Sequence, residues 1–400
     1  MDLAVGVPSA DLLCSPARVV RLSAEPSVSL REQFDNRRSL VPDTIAARPE
    51  GTKSKHSLPR RAGLCFHGTV DDKLNPISSV LTKTDERLRT GRHAAERIWP
   101  TGFGGLDPAI GGGLRSGGLV LLAGPQGLGK TTFALQVCRN VVREGRPVVY
   151  FSYEHDPEDL IEKLIALEAG ELDDSNQARL TDIREAFDSV EGGSMEERLG
   201  SVPCANDALA RVRKYADLLF IHRSTGSSTD LVAIREAVDA THRDTRLCPL
   251  VVVDYLQKVL VPDGPAEEAE RTTTVVEGLK DLAIDTSAPV LAIVAADKVG
   301  IETGKRMRVN HLRGSSALAY EADVVLVLNT KFDIVARHHL VYNLDNAERF
   351  RDWAVLTIEK NRFGRDGVEL QYRKRFDQGR FEAEGQTVTE QLVDERIFTE

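Results

Sequence analysis

The sequence lacks three features that would each assign it to a class of protein. No apolar run approaches the roughly 20 residues that a membrane-spanning helix needs, and the first residues lack the apolar core of a signal peptide. The five cysteines are scattered without C-x-x-C spacing, so neither a disulfide framework nor a zinc site is indicated. Positive charge is not in excess, since the net charge is −9. We therefore expect a cytoplasmic protein with no membrane partner, whose contact with nucleic acid would be local.

Length and composition are those of a globular domain with extensions. The chain has 400 residues, of which 41% are hydrophobic and 28% are charged. Residues 1–74 mix proline, serine, arginine and aspartate without a regular period, which predicts a largely disordered or loosely structured N-terminal tail. Residues 75–97 carry the apolar spacing of an amphipathic helix, and we expect a linker helix there. Residues 98–385 should form the main domain, and residues 386–400 a C-terminal tail.

Short apolar runs alternate with stretches of helical spacing along the main domain. This alternation predicts an α/β fold in which helices flank a mostly parallel central sheet. The last apolar runs, Gln371–Phe376 and Arg380–Phe381, predict a C-terminal β-hairpin. The runs of strand type before them are Leu119–Ala123, Pro147–Ser152, Leu218–His222, Pro249–Asp254, Pro289–Ala296, Ala322–Leu328 and Trp353–Glu359.

The first of these strands leads through a glycine-rich turn into a helix. The turn has the spacing Gly-x-x-x-x-Gly-Lys-Thr of a P-loop, whose backbone N–H groups and helix N-terminus converge on phosphates. Lys130 would reach the β- and γ-phosphates of ATP, and the Thr131 hydroxyl would bind Mg²⁺. A chance glycine-rich turn is the alternative, against which the flanking strand and helix argue. The predicted nucleotide-binding residues are Gly124, Pro125, Gln126, Gly127, Leu128, Gly129, Lys130, Thr131 and Thr132.

Two acidic residues stand where later strands end. Glu154 follows the run Pro147–Ser152, where a carboxylate could accept a proton from the water that attacks the γ-phosphate. The alternative is that Glu154 is an exposed acid at the entry to a helix. Asp254 closes the run Pro249–Asp254, which has the form of a Walker B strand whose carboxylate holds the Mg²⁺ shell.

A basic segment, Lys298–Arg313, stands out in this acidic chain. It carries five cations and two glycines against one acid, Glu302. Glycine-punctuated basic loops can line a phosphate backbone, and they also occur as ordinary charged surface loops. We keep both interpretations open. The residues predicted to contact single-stranded DNA are Lys305, Arg306, Arg308 and Arg313.

Taken in order, these motifs resemble the C-terminal, RecA-like P-loop ATPase domain of DnaB-type replicative helicases. The resemblance covers about Arg97–Glu382, and its Asp-Tyr-Leu-Gln element is more specific than the P-loop alone. The motifs are Thr101-Gly-Phe-x-x-Leu-Asp107, the P-loop, Phe151-Ser-x-Glu154, Val253-Asp-Tyr-Leu-Gln257, Leu312-Arg313 with Gly314-Ser-Ser316, Glu321-Ala-Asp-Val-Val325 and Lys360-x-Arg-x-Gly364.

The resemblance implies a role for each matching residue. It places Lys130 and Thr131 on phosphate and Mg²⁺, Glu154 as general base, Asp254 as the second metal-shell acid, and Lys360 and Arg362 as fingers inserted into the neighbouring subunit's ATP site. A finger supplied in trans requires a homo-oligomer, and the family forms hexameric rings around single-stranded DNA. In the family the linker helix packs on the next subunit.

The sequence departs from the family pattern at two places. The strand that starts near Val290 ends in Val294 and Ala295, where the family has a polar pair with a glutamine that senses the γ-phosphate. Neither side chain can donate a hydrogen bond. The residues before Asn75 show little of the family's helical N-terminal domain. The first departure bears on the coupling of hydrolysis to DNA movement and not on the binding of ATP. The second means that loading onto DNA and partner contacts do not follow from the resemblance.

Three functions follow for comparison. The first is an ATP-hydrolysing, DnaB-like helicase-type ATPase that acts on single-stranded DNA as an oligomeric ring. The second is a regulatory or recombination-associated ATPase, resembling the KaiC and RadA groups, that does not separate strands; the two departures favour it. The third is a scaffold that only binds nucleotide, against which the complete set of phosphoryl-transfer residues argues.

Overall fold

The computed structural model describes residues 74–91, 97–172, 178–190, 192–297, 305–314, 316–341 and 344–395. The predicted N-terminal tail lies outside the described residues, apart from Leu74. Also outside the described residues are 92–96 of the predicted linker helix, 298–304 of the basic segment and the last five residues. No helix among the described residues is long and apolar enough to cross a membrane.

Strands of the described residues form one large sheet and a short ribbon. The ribbon is an antiparallel pair of β1 (Ile98–Trp99) and β2 (Leu114–Arg115). The large sheet has ten strands: β3 (Leu119–Ala123), β4 (Val148–Ser152), β5 (Leu219–Arg223), β6 (Leu250–Asp254), β7 (Val290–Val294), β8 (Val324–Thr330), β9 (Trp353–Asn361), β10 (Val368–Arg375), β11 (Arg380–Phe381) and β12 (Gln386–Thr387). Their order is β11-β10-β9-β8-β3-β7-β6-β4-β5, and β12 pairs with β10.

The sheet is parallel from β8 to β5 and antiparallel from β9 to the C-terminal end. All five residues of β3, β4, β6 and β7 are buried, because helices cover both faces of the sheet. On β3, Val120 and Leu122 pack in one cluster with Phe133, whereas Leu121 packs in another with Leu279. The predicted α/β fold with a mostly parallel central sheet is confirmed.

Helices flank the sheet on both faces. The helices are α1 (Ile77–Arg89), α2 (Leu106–Ala109), α3 (Lys130–Arg143), α4 (Pro157–Leu172), α5 (Leu180–Asp188), α6 (Met195–Leu199), α7 (Ala205–Tyr215), α8 (Leu231–Thr245), α9 (Glu268–Thr286), α10 (Ala317–Glu321), α11 (Lys331–Ile334), α12 (His338–Val341) and α13 (Leu344–Arg351). Buried residues of α3, α4 and α7 belong to one core cluster, and those of α8, α9 and α10 belong to the other.

Helix α1 occupies the middle of the predicted linker and buries none of its residues. Its apolar side chains Ile77 and Leu81 are 73% and 64% exposed. Isolated helices of about this length are marginal in water without tertiary packing. The role of α1 as a linker helix stays a prediction.

The chain beyond β9 adds β10, β11 and β12 to the sheet and then contacts residues 334–336, which follow β8. β10 and β11 form the expected antiparallel pair, with Lys374 opposite Phe381. The segment 391–395, which we name the C-terminal strap, continues past the predicted domain end. Its Gln391 carbonyl accepts the Ala336 N–H at 2.8 Å, and its Val393 N–H donates to the Ile334 carbonyl at 2.7 Å. The strap is thus pinned to the main domain by backbone hydrogen bonds.

The parallel register brings the ends of the central strands to one edge. Ser152 at the end of β4 lies opposite Asp254 at the end of β6, and Ala123 of β3 lies opposite Val294 of β7. The loops that follow these strands therefore meet above the same edge. In open α/β sheets, ligands bind outside the carboxyl ends of the strands.

Candidate functional site

The P-loop links β3 to the start of α3 at this edge. Gly127 and Gly129 take positive φ angles of 73° and 80°, which L side chains rarely adopt. Gly129 is also sterically required, because a Cβ atom there would lie 2.5 Å from the Phe376 ring. Gly129 and the first residues of α3, Lys130, Thr131 and Thr132, line the cleft, so the N-terminus of this helix lies where a phosphate would bind.

Lys130 is folded back on the loop that carries it. Its Nζ donates to the carbonyl oxygens of Gly124 at 2.8 Å and Pro125 at 2.9 Å. Burial lowers the pKa of Lys130, and the nearby charges of Asp254 and Glu154 act in the opposite direction. The ammonium group therefore lies among the predicted site carboxylates, held by acceptors that a phosphate could replace.

Asp254 is a buried acid at the base of the cleft. It is 2% exposed, and its Oδ2 accepts hydrogen bonds from the Thr131 hydroxyl at 2.8 Å and the Tyr150 hydroxyl at 2.7 Å. Burial, followed by the Asp254 charge, raises the pKa of Tyr150 well above its ordinary value. Thr131 and Asp254, the predicted metal residues, are thus in direct contact.

Sequence reasoning missed Tyr150. It is fully buried in β4, among residues that read as a plain apolar strand. A tyrosine inside such a strand was the available signal, because a buried phenol hydroxyl needs a hydrogen-bond partner. The identity of that partner depends on the β4–β6 pairing, which the sequence does not specify.

Glu154 follows β4 and borders the same cleft as Lys130 and Asp254. Its side chain is exposed, and its charge partly offsets the lowering of the Lys130 pKa by burial. Beside it lies a pair that the sequence did not indicate: the Nζ of Lys163, on α4, is 3.1 Å from the Nε2 of His155. Burial is the main reason that the pKa values of both are lowered.

These residues surround one cleft of about 560 Å³. That volume lies within the roughly 300–1,000 Å³ of small-molecule sites. Among the described residues no group of three or more His, Cys, Asp or Glu side chains could hold a metal ion by itself. The paired Thr131 hydroxyl and Asp254 carboxylate fit Mg²⁺, which usually takes one or two protein oxygens and completes its shell with phosphate and water. Mg²⁺ would therefore bind here together with a nucleotide.

The two positions that depart from the family pattern have different surroundings. Val294 is buried at the end of β7, whereas Ala295 borders the cleft. The Ala295 N–H donates to the Gln257 Oε1 at 3.2 Å. A polar side chain from the turn after β6 thus contacts the backbone at the place where the β7 strand itself has no polar side chain.

Lys360 and Arg362 lie at the opposite edge of the sheet. Asn361 between them is paired with Val324, at the start of β8, whereas the P-loop follows the end of neighbouring β3. A strand rises about 3.3 Å per residue, so roughly 13 Å or more separates this position from the P-loop. Arg362 contacts Asp323 at 3.1 Å and is 49% exposed. The structure does not bring these two residues to the cleft of their own chain.

The predicted DNA-binding residues have unequal surroundings. The Arg306 prediction is corrected: this side chain is 4% exposed, donates to Thr357 at 2.9 Å and forms an ion pair with Glu369. This buried, paired guanidinium joins β9 to β10 and is not accessible to a DNA strand. Its spacing among other cations gave no indication of this burial.

The other three cations are nearer the surface and carry acidic partners. Arg308 pairs with Glu359 at 2.9 Å and with Asp394 of the C-terminal strap at 2.8 Å. Lys305 lies 4.0 Å from Glu395 of the strap. Arg313, which is 52% exposed, pairs with Glu268 at 2.8 Å and also borders the nucleotide cleft.

The site and fold agree with comparisons to known proteins. A family model described as "DnaB-like helicase C terminal domain" matches residues 99–382. The chain is 27% identical to the replicative DNA helicase DnaB of Haemophilus influenzae over 309 residues, covering 76% of this chain and 59% of that protein. It is 25% identical over 317 residues to a probable plasmid replicative DNA helicase of Chlamydia psittaci, covering 75% and 62%. The chain thus spans about three fifths of the length of these curated relatives.

Solved structures share the fold. One, described as an ATPase domain, aligns with a TM-score of 0.60 at 21% identity, covering 77% of this chain and 98% of that one. A DnaB-like replicative helicase, described with its interactions with primase, aligns with a TM-score of 0.59 at 21% identity, covering 76% and 68%. The likeness supports the RecA-like arrangement of the sheet and helices.

Proposed function

The chain belongs to the DnaB-like helicase C-terminal domain family, and from this premise we propose that it hydrolyses ATP as an oligomer that acts on single-stranded DNA. One observation carries the proposal. Lys130, Thr131, Glu154 and Asp254, drawn from three separate strand ends, border a single cleft of nucleotide size. Each belongs to a residue type that phosphoryl transfer requires.

The chemistry follows from the position of each side chain. Lys130 would exchange its two carbonyl partners for β- and γ-phosphate oxygens, and the Thr131 hydroxyl and Asp254 carboxylate would hold Mg²⁺. The bound Mg²⁺ supplies positive charge to the triphosphate. Glu154 would take a proton from a water molecule as the water oxygen bonds to the γ-phosphorus. The bond from that phosphorus to the β–γ bridging oxygen breaks, which leaves ADP and inorganic phosphate.

The fingers can act only between subunits. Lys360 and Arg362 lie too far from the P-loop of their own chain, so their proposed role as phosphate-neutralising groups requires a neighbouring copy. Arg362 is half-exposed at the sheet edge and is held there by Asp323, which is 5% exposed. This location supports a homo-oligomer, proposed to be a hexameric ring.

DNA contact is proposed for Lys305, Arg308 and Arg313. All three have exposed or partly exposed side chains in the basic segment, and Arg313 lies beside the nucleotide cleft. A strand bound along this segment would therefore pass close to the site of hydrolysis. We propose the cytoplasm as the location of this DNA-associated ATPase activity.

The second candidate function is a DNA-associated or regulatory ATPase that does not separate strands. Val294 and Ala295 favour it, because no polar side chain at these two positions can report the state of the γ-phosphate. A forked DNA substrate separates the two functions. The motor yields ATP-dependent single-stranded product, whereas the switch hydrolyses ATP and yields none.

The test of the proposed function is the ATPase rate with and without single-stranded DNA, measured on an oligomer isolated by size. The Glu154→Gln variant should lose at least about 100-fold in rate, the lower bound for a general base. Glu158→Gln is the matched control, since Glu158 is an exposed acid on the next helix. ATP turnover by Glu154→Gln at the parent rate, with DNA present, would contradict the proposal.

A further inference from the structure

Three segments meet beside the nucleotide cleft. The first is the turn Leu256–Lys258 that follows β6 and the metal-shell Asp254. The second is the end of β7 at Ala295. The third is the basic segment, where Leu312 forms an antiparallel bridge with Ala296 and the Asp297 N–H donates to the His311 carbonyl at 2.9 Å. Residues 311–313 of the basic segment therefore pair with the chain that leaves β7, and Arg313 borders the cleft.

One side chain joins all three segments. The Gln257 Oε1 accepts the Ala295 N–H at 3.2 Å, and the Gln257 Nε2 donates to the Arg313 carbonyl at 2.8 Å. The Arg313 N–H completes the ring of hydrogen bonds by donating to the Ala295 carbonyl at 2.9 Å. A primary amide fits this place because it offers an acceptor and a donor at the same time.

The surroundings leave Arg313 little freedom to move independently of this junction. Its guanidinium group binds both oxygens of Glu268, at the start of α9. The next residue, Gly314, has a φ of 121°, and a Cβ atom there would lie 2.6 Å from the Thr272 hydroxyl. The backbone at Arg313 is thus fixed by β7 on one side, by α9 on the other and by Gln257 between them.

Both ends of the junction border the cleft. Tyr255, Ala295 and Arg313 are among its lining residues. Because Tyr255 follows Asp254 directly, only two residues separate the metal-shell acid from Gln257 along the chain. Gln257 in turn holds the segment that carries the proposed DNA contacts.

We infer that Gln257 is the positioning residue that couples the nucleotide state of the cleft to the placement of Arg313 and the basic segment. This inference rests on the proposed function. It assigns to Gln257, through backbone contacts, a linkage that the side chains of Val294 and Ala295 cannot make. Gln257 itself is not among the residues that line the cleft.

The experiment compares single-stranded DNA affinity with and without a non-hydrolysable ATP analogue plus Mg²⁺. Coupling between two sites typically changes affinity about 5- to 150-fold. In Gln257→Ala this nucleotide-dependent change should fall to less than about twofold, because both hydrogen bonds are lost. Gln257→Glu keeps the acceptor for Ala295 and loses the donor to Arg313, so it should also uncouple the sites.

Two further measurements separate coupling from a general structural role. The kcat and KM for ATP without DNA should change less than about twofold in both variants, while stimulation by DNA is lost. Asn206→Ala is the matched control: its side-chain amide also donates to a backbone carbonyl, that of Glu196, far from the cleft. This variant should retain full coupling.

The outcomes distinguish the inference from the function on which it rests. If the parent protein shows no effect of nucleotide on DNA affinity and no stimulation by DNA, the proposed function fails. If the parent shows both effects and the two Gln257 variants retain them, the inference alone fails. Uncoupling in both Gln257 variants, with Asn206→Ala unaffected, supports the inference.

Discussion

Replacing Tyr150 by phenylalanine should weaken both the fold and the metal site. The change removes one hydroxyl group from a fully buried position without changing the ring. It leaves Asp254 Oδ2 with the Thr131 donor alone. Hydrogen bonds to charged groups contribute about 1.5–3 kcal/mol, so the free energy of unfolding should fall by that amount. Loss of a side chain that positions a metal ligand typically lowers metal affinity about 10- to 100-fold. The Mg²⁺ concentration needed for half-maximal nucleotide binding should therefore rise by a similar factor.

The pH dependence of this contact has a defined sign. The pKa of Tyr150 is raised well above its ordinary value of 10.0, so the folded protein keeps a proton that the unfolded chain releases near pH 10. The stabilisation is fully present below that pH and is lost as the pH rises. Denaturant titrations of the parent and Tyr150→Phe proteins should therefore converge at alkaline pH.

The control is Tyr153→Phe. The Tyr153 hydroxyl donates to the neutral Thr229 carbonyl at 3.2 Å, for which about 0.5–1.5 kcal/mol is expected. The one contact of Tyr153 with Asp254 that the structure describes is the backbone hydrogen bond from its N–H to the Asp254 carbonyl at 2.9 Å, which the substitution leaves in place. Urea unfolding followed by circular dichroism gives both stability changes, and nucleotide titration at several Mg²⁺ concentrations gives the metal effect. Equal stability and equal Mg²⁺ dependence in the Tyr150→Phe and parent proteins would refute the reasoning.

Three other changes test separate features. Gly129→Ala places a Cβ atom on a left-handed backbone and 2.5 Å from a phenylalanine ring. The free energy of unfolding should fall by at least about 1 kcal/mol, and nucleotide binding should weaken. A variant with the nucleotide affinity of the parent would contradict this. Arg362→Ala should lower the ATPase rate about 10³-fold with little change in melting temperature. Mixing it with the Glu154→Gln protein should restore part of the rate, because one subunit keeps Glu154 and the other keeps Arg362. No recovery on mixing would argue against a finger supplied in trans. Neutralising Lys305 and Arg308 together should weaken DNA binding and lower the salt slope by at most about 0.7 for each cation that meets a phosphate, and an unchanged affinity for single-stranded DNA would exclude this segment as the DNA site.

Much of the architecture could be predicted from local sequence. The central strands are continuous apolar runs because both of their faces are covered, and this pattern is visible residue by residue in Leu119–Ala123 and Leu250–Asp254. The P-loop could also be predicted, because its chemistry is confined to consecutive residues. The predicted base, Glu154, was found from its place at a strand end, and the structure puts it beside the cleft.

Contacts between distant parts of the chain could not be predicted in the same way. Arg306 reads as one more cation in a basic segment, and only the fold brings Glu369 against it. The pairing of Lys163 with His155 joins a helix to the loop before it, and neither residue follows a motif. In each case the energy of the contact depends on burial and partner geometry, which the order of residues along the chain does not specify.

The C-terminal strap changes what a salt titration would measure. Asp394 and Glu395 already stand beside Arg308 and Lys305, in the place where small anions from solution would otherwise gather. A phosphate that reaches these cations displaces carboxylates tethered to the same molecule, so fewer free ions enter the solvent. The number of phosphate contacts inferred from the salt slope would then be smaller than the number that the basic segment makes. In a protein carrying Asp394→Asn and Glu395→Gln, the inferred and actual numbers should agree.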